Sequence, residues 1–150
     1  MSDFLILATM FAAAFVAATV FPMQSESFLA GFLIKSDVAP ALLLAAASVG
    51  NVLGSCVNWL LGRYLEHFKD RKWFPASPRA LERAQETYRR YGRWTLLLSW
   101  VPLIGDPITV MAGVMRERLW VFVVLVFVAK TGRYLAVAAI TLNLFSANNP

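Results

Sequence analysis

Four long blocks of apolar residues, each almost free of charged side chains, account for most of this 150-residue chain. The blocks are residues 4–25, 38–62, 94–115 and 119–145. The only charged side chains within them are Asp106, Lys130 and Arg133. A helix of about 20 mostly apolar residues is long enough to cross the hydrocarbon core of a bilayer. The pattern therefore predicts an all-α integral membrane protein.

The composition supports this prediction. Hydrophobic residues make up 59% of the chain and charged residues 15%, whereas soluble domains average about 45–50% and about 25%. The blocks leave no room for a separate soluble domain, so one membrane domain is expected over residues 1–150. Cys56 and His67 are the only cysteine and histidine. A single cysteine excludes an internal disulfide, and a single histidine excludes a histidine-based metal cluster. No metal or cofactor is expected.

Most of the basic side chains lie between the second and third blocks, in residues 63–93. The positive-inside rule places such a segment in the cytoplasm. Nucleic-acid binding is the other interpretation of a basic run, but flanking blocks of membrane length argue against it. The basic residues are Arg63, Lys69, Arg71, Lys72, Arg79, Arg83, Arg89, Arg90 and Arg93.

Part of this loop is predicted to form an amphipathic helix. Ser77 is a suitable N-cap, Pro78 suits the first helical position, and Gly92 suits the end. Two interpretations of this helix stay open: it lies in the cytoplasmic interface against anionic lipid, or it docks on its own protein. Its apolar face consists of Leu81, Ala84, Tyr88 and Tyr91.

The two halves of the chain follow one plan. In each half an apolar segment reaches a proline, an acid follows four residues later, and a long apolar helix carries Gly-Arg-Tyr-Leu. The proline and acid are Pro22 and Glu26 in the first half, and Pro102 and Asp106 in the second. The predicted units are repeat one at 1–65, the cytoplasmic loop at 63–93 and repeat two at 94–145.

Interrupted hydrophobic segments at matching positions of two halves indicate a transporter site. Proline breaks a helix, and an acid beside the break is costly in lipid unless it is paired or hydrated. A re-entrant helical hairpin with its acid at the tip meets both conditions. The alternative is four plain spans. The predicted tip residues are Pro22, Ser25, Pro102, Gly105 and Pro107.

The charges that flank the hairpins predict their direction. Arg93 precedes the second hairpin and Arg116 follows it, so both of its ends favour the cytoplasm. Asp3 precedes the first hairpin, and Lys35 and Asp37 follow it, which suits the opposite side. Two hairpins that enter from opposite faces form an inverted repeat, with each hairpin followed by a transmembrane helix.

The long helices carry the remaining candidate site residues. Asn51 and Asn58 lie on one stripe of the helix predicted over residues 38–62. This stripe either lines a polar groove or joins helices by hydrogen bonds. Lys130 and Arg133 share a face of the last helix, where a charge costs about 3 kcal/mol on insertion scales. Glu26 and Asp106 are the only intramembrane acids that can partner them.

These motifs resemble those of the DedA family, whose shared region is called the VTT or SNARE-associated domain, and most closely its short bacterial YqaA-type branch. The resemblance covers about residues 18–140. It rests on Ser25-Glu26, on Gly54 through Gly62-Arg63, on Tyr91-Gly92, on Trp100-Val101-Pro102 and on Ala112-Gly113.

The resemblance implies a multi-pass protein of the bacterial inner membrane with two opposed re-entrant hairpins. It also implies movement of lipid between leaflets, with phospholipid or polyprenyl phosphate as cargo and with protons as a coupling ion. The chain departs from the family where Ser99 and Gly105 replace two arginines of the second tip, and where Ser55 replaces an acid. Lys130 and Arg133 are the candidate substitutes for those arginines.

The sequence thus favours a lipid translocator that supports membrane homeostasis. The alternatives are a proton- or ion-coupled small-solute transporter and a non-transporting membrane scaffold. An enzyme is not expected, since no nucleophile–base pair or metal-ligand set is present. The expected partners are membrane lipids, protons and a second copy of the chain, and no nucleic acid.

Overall fold

The computed structural model describes residues 2–19, 25–64 and 77–148. These residues form helices and connecting turns and contain no β-strand. The segment Gly92–Trp100 is a 3-10 helix. The α-helices are α1 (Asp3–Ala17), α2 (Ser25–Lys35), α3 (Pro40–Arg63), α4 (Pro78–Tyr91), α5 (Gly105–Val114) and α6 (Leu119–Asn148).

Two of the described helices, α3 and α6, are long and apolar enough to cross a membrane. At 1.5 Å per residue they are about 36 Å and 45 Å long, whereas α1 is only about 22 Å long. The hydrocarbon core of a bilayer is about 30 Å thick. Helix α1 therefore cannot cross it alone in this conformation, although it is almost entirely apolar.

Both remaining apolar blocks are interrupted, as predicted. In the first block α1 ends at Ala17, α2 begins at Ser25, and the two helices pack against each other. Pro22 lies outside the described residues. In the second block the 3-10 helix packs against α5 after a break at residues 101–104. In the described residues, therefore, neither of these two blocks forms one uninterrupted helix.

Leu103 lies within the break of the second block and has a φ of +68°. Bulky L-residues rarely adopt this left-handed conformation. Pro107 is the third residue of α5. A proline is tolerated there because a backbone N–H in the first turn has no partner within the helix. Pro102 and Pro107 thus lie on either side of the start of α5.

Helices α3 and α6 are antiparallel and form the centre of the molecule. Trp59 packs on Phe122 near the C-terminal end of α3, and Asn51 reaches Tyr134 further along both helices. Helix α1 packs on α3, and the 3-10 helix packs on α6. Conversely, α2 packs on α6, and α5 packs on α3. Each interrupted block therefore contacts both long helices.

Glycines allow the closest approaches between these helices. A Cβ at Gly50 or Gly54 would overlap the backbone of α1 at Phe11 or Phe15. Gly50 and Gly54 are four residues apart on one face of α3, a small-xxx-small spacing that is typical of close packing between membrane helices. Gly62 of α3 lies against the carbonyl of Val110 in the same way. These glycines keep α1 and α5 in backbone contact with α3.

The amphipathic helix α4 forms where it is predicted. The side chain of Ser77 accepts a hydrogen bond from the backbone N–H of Ala80 at 3.3 Å. Gly92 ends the helix with a φ of +60°. Ala84 and Tyr88 are buried in a cluster with residues of α3, α5 and α6, whereas Tyr91 is exposed. Of the two interpretations, docking on its own protein is the one observed for this face.

Two hydrophobic clusters lie at opposite ends of the molecule. One surrounds Trp59 and Phe122 and includes the buried face of α4. The other joins α1, α2 and the N-terminal half of α3 around Met10 and Leu43. Asn51 of α3 and Lys130 and Arg133 of α6 fall between the residues that the two clusters take from the long helices, and this level contains the candidate site.

Candidate functional site

The four intramembrane charges predicted from the sequence form two ion pairs. Nη2 of Arg133 lies 2.7 Å from Oε1 of Glu26. Nζ of Lys130 lies 3.6 Å from Oδ1 of Asp106. Both bases belong to the middle of α6, whereas the acids belong to the two interrupted blocks. The starts of α2 and α5 therefore meet at one position on α6.

Each acid is the second residue of its helix, Glu26 in α2 and Asp106 in α5. The first turn of a helix carries unpaired backbone N–H groups and the positive end of the helix dipole, which stabilise a carboxylate. The interruptions in the sequence thus provide two helix N-termini in the interior. This placement lowers the cost of burying the acids, and Arg133 and Lys130 lower it further.

Arg133 joins the two interrupted blocks directly. While Nη2 pairs with Glu26 of α2, Nη1 donates to the backbone carbonyl of Trp100 at 3.0 Å. Trp100 is the last residue of the 3-10 helix, and its carbonyl precedes the break that proline creates. One guanidinium therefore contacts the first block through a charge and the second through a backbone acceptor.

Tyr134, next to Arg133, is the largest buried polar side chain at this level. Its hydroxyl lies 2.8 Å from the Ser25 hydroxyl and accepts a hydrogen bond from Nδ2 of Asn51 at 2.8 Å. These contacts connect the start of α2, the middle of α3 and the middle of α6. Sequence reasoning placed Tyr134 in a repeated motif but assigned it no role. The signal that could have singled out Tyr134 is the repeated Gly-Arg-Tyr-Leu motif, in which Tyr64 holds the same position in the first half.

Asn58 makes the equivalent connection to the second block. Its Nδ2 donates to the carbonyl of Ala18 at 2.8 Å and to Oγ1 of Thr109 at 3.2 Å. Thr109 in turn donates to the carbonyl of Asp106 at 2.7 Å. The polar stripe of α3 therefore joins helices by hydrogen bonds, which is one of the two roles predicted for it.

Several buried polar atoms at this level have no hydrogen-bond partner among the described residues. The carboxamide oxygens of Asn51 and Asn58 are two of them, and the Ser99 hydroxyl is a third. A buried acceptor without a partner costs about 1–3 kcal/mol. Buried water satisfies groups of this kind in many proteins. These groups make the level between the clusters polar.

Gly105 and Ser99, which stand where the family's arginines are expected, face each other across the break. A Cβ at Gly105 would overlap the backbone carbonyl of Ser99. A larger side chain at position 105 would therefore displace the 3-10 helix from α5. The close contact explains physically why this chain has glycine there, and it leaves Arg133 and Lys130 as the basic groups at this tip.

A second polar cluster, which sequence reasoning missed, lies at the basic end of the molecule. Glu117 follows α5, and its carboxylate accepts a hydrogen bond from the Tyr88 hydroxyl at 2.8 Å. The Glu117 carbonyl accepts one from the indole nitrogen of Trp59 at 3.2 Å. The guanidinium of Arg63 lies 4.9 Å from the Trp59 ring centroid. The cluster fixes α4, the end of α3 and the turn before α6 at one end of the molecule.

Comparison with known proteins identifies the family to which this arrangement belongs. Residues 4–142 match the family model of the VTT domain. The chain belongs to the VTT domain family. It is an integral membrane protein of this family, as its motifs predicted.

The VTT domain relatives include bacterial proteins of similar length. The chain is 38% identical over 141 residues to the inner membrane protein YqaA of Escherichia coli, and the match covers 94% of each chain. It is 35% identical over 139 residues to an uncharacterized protein of Haemophilus influenzae, covering 87% and 83%. No solved structure matches the chain.

A more distant VTT domain relative has a name that states a function. Undecaprenyl phosphate transporter A of Staphylococcus aureus is 26% identical over 106 residues, which are 65% of this chain and 52% of that protein. The named activity is that of the Staphylococcus protein.

Proposed function

We propose that this protein moves lipid between the leaflets of the bacterial inner membrane and so supports membrane homeostasis. The candidate cargoes are phospholipid and a polyprenyl-phosphate carrier. The observation that carries the proposal is the meeting of two helix N-termini, Glu26 and Asp106, with Arg133 and Lys130 in the middle of α6. Charged groups in the membrane interior are costly, and transport is a function that requires them there.

The proposed architecture is an inverted repeat of two re-entrant hairpins, one formed by α1 and α2 and the other by the 3-10 helix and α5. Helix lengths support re-entry, since none of these segments reaches across a bilayer. The exchange of contacts supports the repeat. In the first half α1 packs on α3 and α2 packs on α6. In the second half the 3-10 helix packs on α6 and α5 packs on α3.

The proposed topology is multi-pass with the loop 63–93 in the cytoplasm. Exposed tryptophans support it. Trp94 lies in the first turn of the 3-10 helix and Trp120 in the first turn of α6, and both side chains are exposed. Both lie near the end that bears Arg116 and Arg118, and aromatic and basic residues together are typical of a cytoplasmic membrane interface.

A phosphate-bearing cargo requires a basic group that can leave its partner. Arg133 is the stronger candidate, because guanidinium binds phosphate through two parallel hydrogen bonds. In the structure its nitrogens contact Glu26 and the Trp100 carbonyl. We propose that a proton taken up by Glu26 releases Arg133 for the head group. This makes protons and membrane lipids the proposed partners.

A proton- or ion-coupled small-solute transporter is the second candidate. Its supporting observation is that Lys130 and Arg133, the two bases in the middle of α6, both contact carboxylates, so that neither is free for phosphate in this structure. A non-transporting scaffold, alone or as a homo-oligomer, would need the ion pairs for packing alone. The two transport candidates differ in whether a labelled lipid crosses the bilayer.

The decisive experiment is transbilayer movement of fluorescent lipids in liposomes that contain the purified protein. Labelled phosphatidylethanolamine, phosphatidylglycerol and polyprenyl phosphate are tested separately, and chemical quenching measures the fraction in the outer leaflet. We expect faster exchange than in protein-free liposomes, and a loss of it in Glu26→Gln. The matched control is Glu82→Gln, which changes an exposed acid of α4. Equal rates with and without the protein for every lipid would contradict the proposal.

A further inference from the structure

Two contacts lie side by side between the first turn of α2 and the middle of α6. The Tyr134 hydroxyl lies 2.8 Å from the Ser25 hydroxyl. Nη2 of Arg133 lies 2.7 Å from Oε1 of Glu26. The hydrogen bond and the ion pair therefore join residues that are direct neighbours in both helices. A constraint on the first contact is also a constraint on the geometry of the second.

The hydrogen bonds of the Tyr134 hydroxyl have a defined direction. Nδ2 of Asn51 donates to the hydroxyl oxygen at 2.8 Å. A phenol has a single proton to donate, and among the described residues the Ser25 hydroxyl is the acceptor that lies within hydrogen-bond distance. Tyr134 therefore accepts from Asn51 and donates to Ser25. In this way α3 orients the phenol, and the phenol holds the start of α2.

Packing of the Tyr134 ring does not require this hydroxyl. The residue is 1% exposed and belongs to the hydrophobic cluster around Met10 and Leu43. Phenylalanine would fill the same space without the cost of removing a hydroxyl from water. A buried hydrogen bond offsets that cost with only a small net gain in stability. The position that the hydroxyl gives to Ser25 explains its presence better than stability does.

The ion pair next to Tyr134 benefits from a fixed helix start. The side chains of Arg133 and Glu26 are 31% and 21% exposed, so water competes for both. Both side chains are long and lose much rotamer freedom when they are held in one geometry. Accessible pairs of this kind are weak unless their geometry is fixed. Ser25 directly precedes Glu26, so the Tyr134–Ser25 bond fixes the backbone from which Glu26 extends.

We infer that Tyr134 is a positioning residue, whose hydroxyl fixes the first turn of α2 so that Glu26 stays at ion-pair distance from Arg133. It acts on the ion pair through Ser25. The inference rests on the proposed function for its effect on lipid movement, whereas its effect on the ion pair stands without that function.

The test measures the coupling between Glu26 and Arg133 with a double-mutant cycle. Unfolding of the full-length protein in detergent is followed for wild type, Glu26→Gln, Arg133→Met and the double variant. The cycle is then repeated in a Tyr134→Phe background, which keeps the ring and removes only the hydroxyl. We expect about half of the coupling or more to be lost. A lower unfolding temperature with unchanged coupling would show a purely structural tyrosine and would overturn the inference.

Two further variants control this test. Tyr64→Phe is the matched control, because Tyr64 holds the same place in the first Gly-Arg-Tyr-Leu motif and is 57% exposed. It should leave the coupling at the wild-type value. Ser25→Ala breaks the same hydrogen bond from the other side and should reduce the coupling as Tyr134→Phe does, so it carries the test if Tyr134→Phe does not fold. Wild-type coupling in folded Ser25→Ala, or an equal loss in Tyr64→Phe, would overturn the inference.

The liposome assay separates this inference from the proposed function. Tyr134→Phe should slow lipid movement by about tenfold relative to Tyr64→Phe, because small misplacements of functional groups cost one to two orders of magnitude at other sites. If wild type moves no lipid but the coupling still depends on the Tyr134 hydroxyl, the proposed function fails and the positioning role stands. If wild type moves lipid and folded Tyr134→Phe moves it equally fast, the positioning role is overturned.

Discussion

Nη2 of Arg133 lies 2.7 Å from Oε1 of Glu26, so the middle of the last helix contacts the first turn of α2. The two side chains are only partly buried, with 31% of Arg133 and 21% of Glu26 exposed. An ion pair that is still accessible can exchange its partner for a proton or an anionic group.

The first prediction follows from that accessibility. We expect Glu26→Gln to abolish lipid movement while most of the protein stays folded, because Arg133 keeps partial hydration and its bond to Trp100. The loss of stability should be about 1–3 kcal/mol. Arg133→Ala should have the same effect on activity. Thermal unfolding in detergent, measured beside the liposome assay, separates activity from folding. A folded Glu26→Gln protein with full activity would exclude Glu26 from the function.

The second prediction concerns the Asp106–Lys130 pair. Lys130 is only 7% exposed, so Asp106→Asn leaves a buried ammonium without its counter-charge. The Asp106 side chain is itself 37% exposed, which reduces the usual cost of about 3–5 kcal/mol for breaking a buried pair. Because Lys130 is far less exposed than Arg133, which is 31% exposed, Asp106→Asn should still lower the unfolding temperature more than Glu26→Gln does. The double variant Asp106→Asn/Lys130→Met removes both charges and should recover most of the stability. A double variant as unstable as Asp106→Asn alone would show that the charge is not the cause.

The third prediction concerns the crossing of α3 and α5. A Cβ at Gly113 would overlap the backbone carbonyl of Trp59, and one at Gly62 would overlap that of Val110. Gly113→Ala and Gly62→Ala should each destabilise the protein by about 1–3 kcal/mol, the usual cost of overpacking. Gly132→Ala is the control and should stabilise α6 by up to about 1 kcal/mol. Equal unfolding temperatures for Gly113→Ala and Gly132→Ala would contradict the close crossing.

The fourth prediction is a pH dependence at α4, which is not one of the two helices that are long enough to cross a membrane. Burial of Tyr88, and next its hydrogen bond to Glu117, raise the pKa of Tyr88 above the ordinary value of about 10. The neutral phenol is thus favoured in the folded protein. The contribution of the neutral Tyr88 phenol to the free energy of unfolding is fully present below pH of about 10. This contribution is lost as the pH rises through the pKa of Tyr88 in the folded protein.

Tyrosinate absorbance checks this prediction. The difference between wild type and Tyr88→Phe gives the titration of Tyr88, which should occur above the ordinary tyrosine pKa of about 10. Tyr88→Phe should also lose less stability above pH of about 10. Ionisation of Tyr88 at the ordinary tyrosine pKa of about 10 would indicate that α4 is not docked in solution.

The fifth prediction concerns topology. In a Cys56→Ser background, single cysteines replace the exposed Arg118 and Asp37. Two hairpins that enter from opposite faces place residue 118 in the cytoplasm and residue 37 outside. A membrane-impermeant maleimide should therefore label position 37 on intact spheroplasts and position 118 only after lysis. Labelling of position 118 from outside would contradict re-entry of the second hairpin.

Local features of the structure could be predicted because their causes lie within a few residues. The cap of α4 by Ser77 and its end at Gly92 follow from side-chain and backbone chemistry at those positions. The interruption of the second block follows from Pro102, which cannot continue a helix. The close packing of Gly50 and Gly54 follows from their spacing in a long apolar helix.

What the sequence by itself determined is the membrane character, the interrupted blocks and the four residues that must find charged partners. The tertiary structure alone decided which acid pairs with which base, and it added Tyr134 and Glu117. The two Gly-Arg-Tyr-Leu motifs show why. Tyr64 is 57% exposed at the end of α3, whereas Tyr134 is 1% exposed between α2 and α3. The two tyrosines differ in exposure because their surroundings depend on how helices that are distant in sequence cross. That crossing is fixed by packing across the whole molecule.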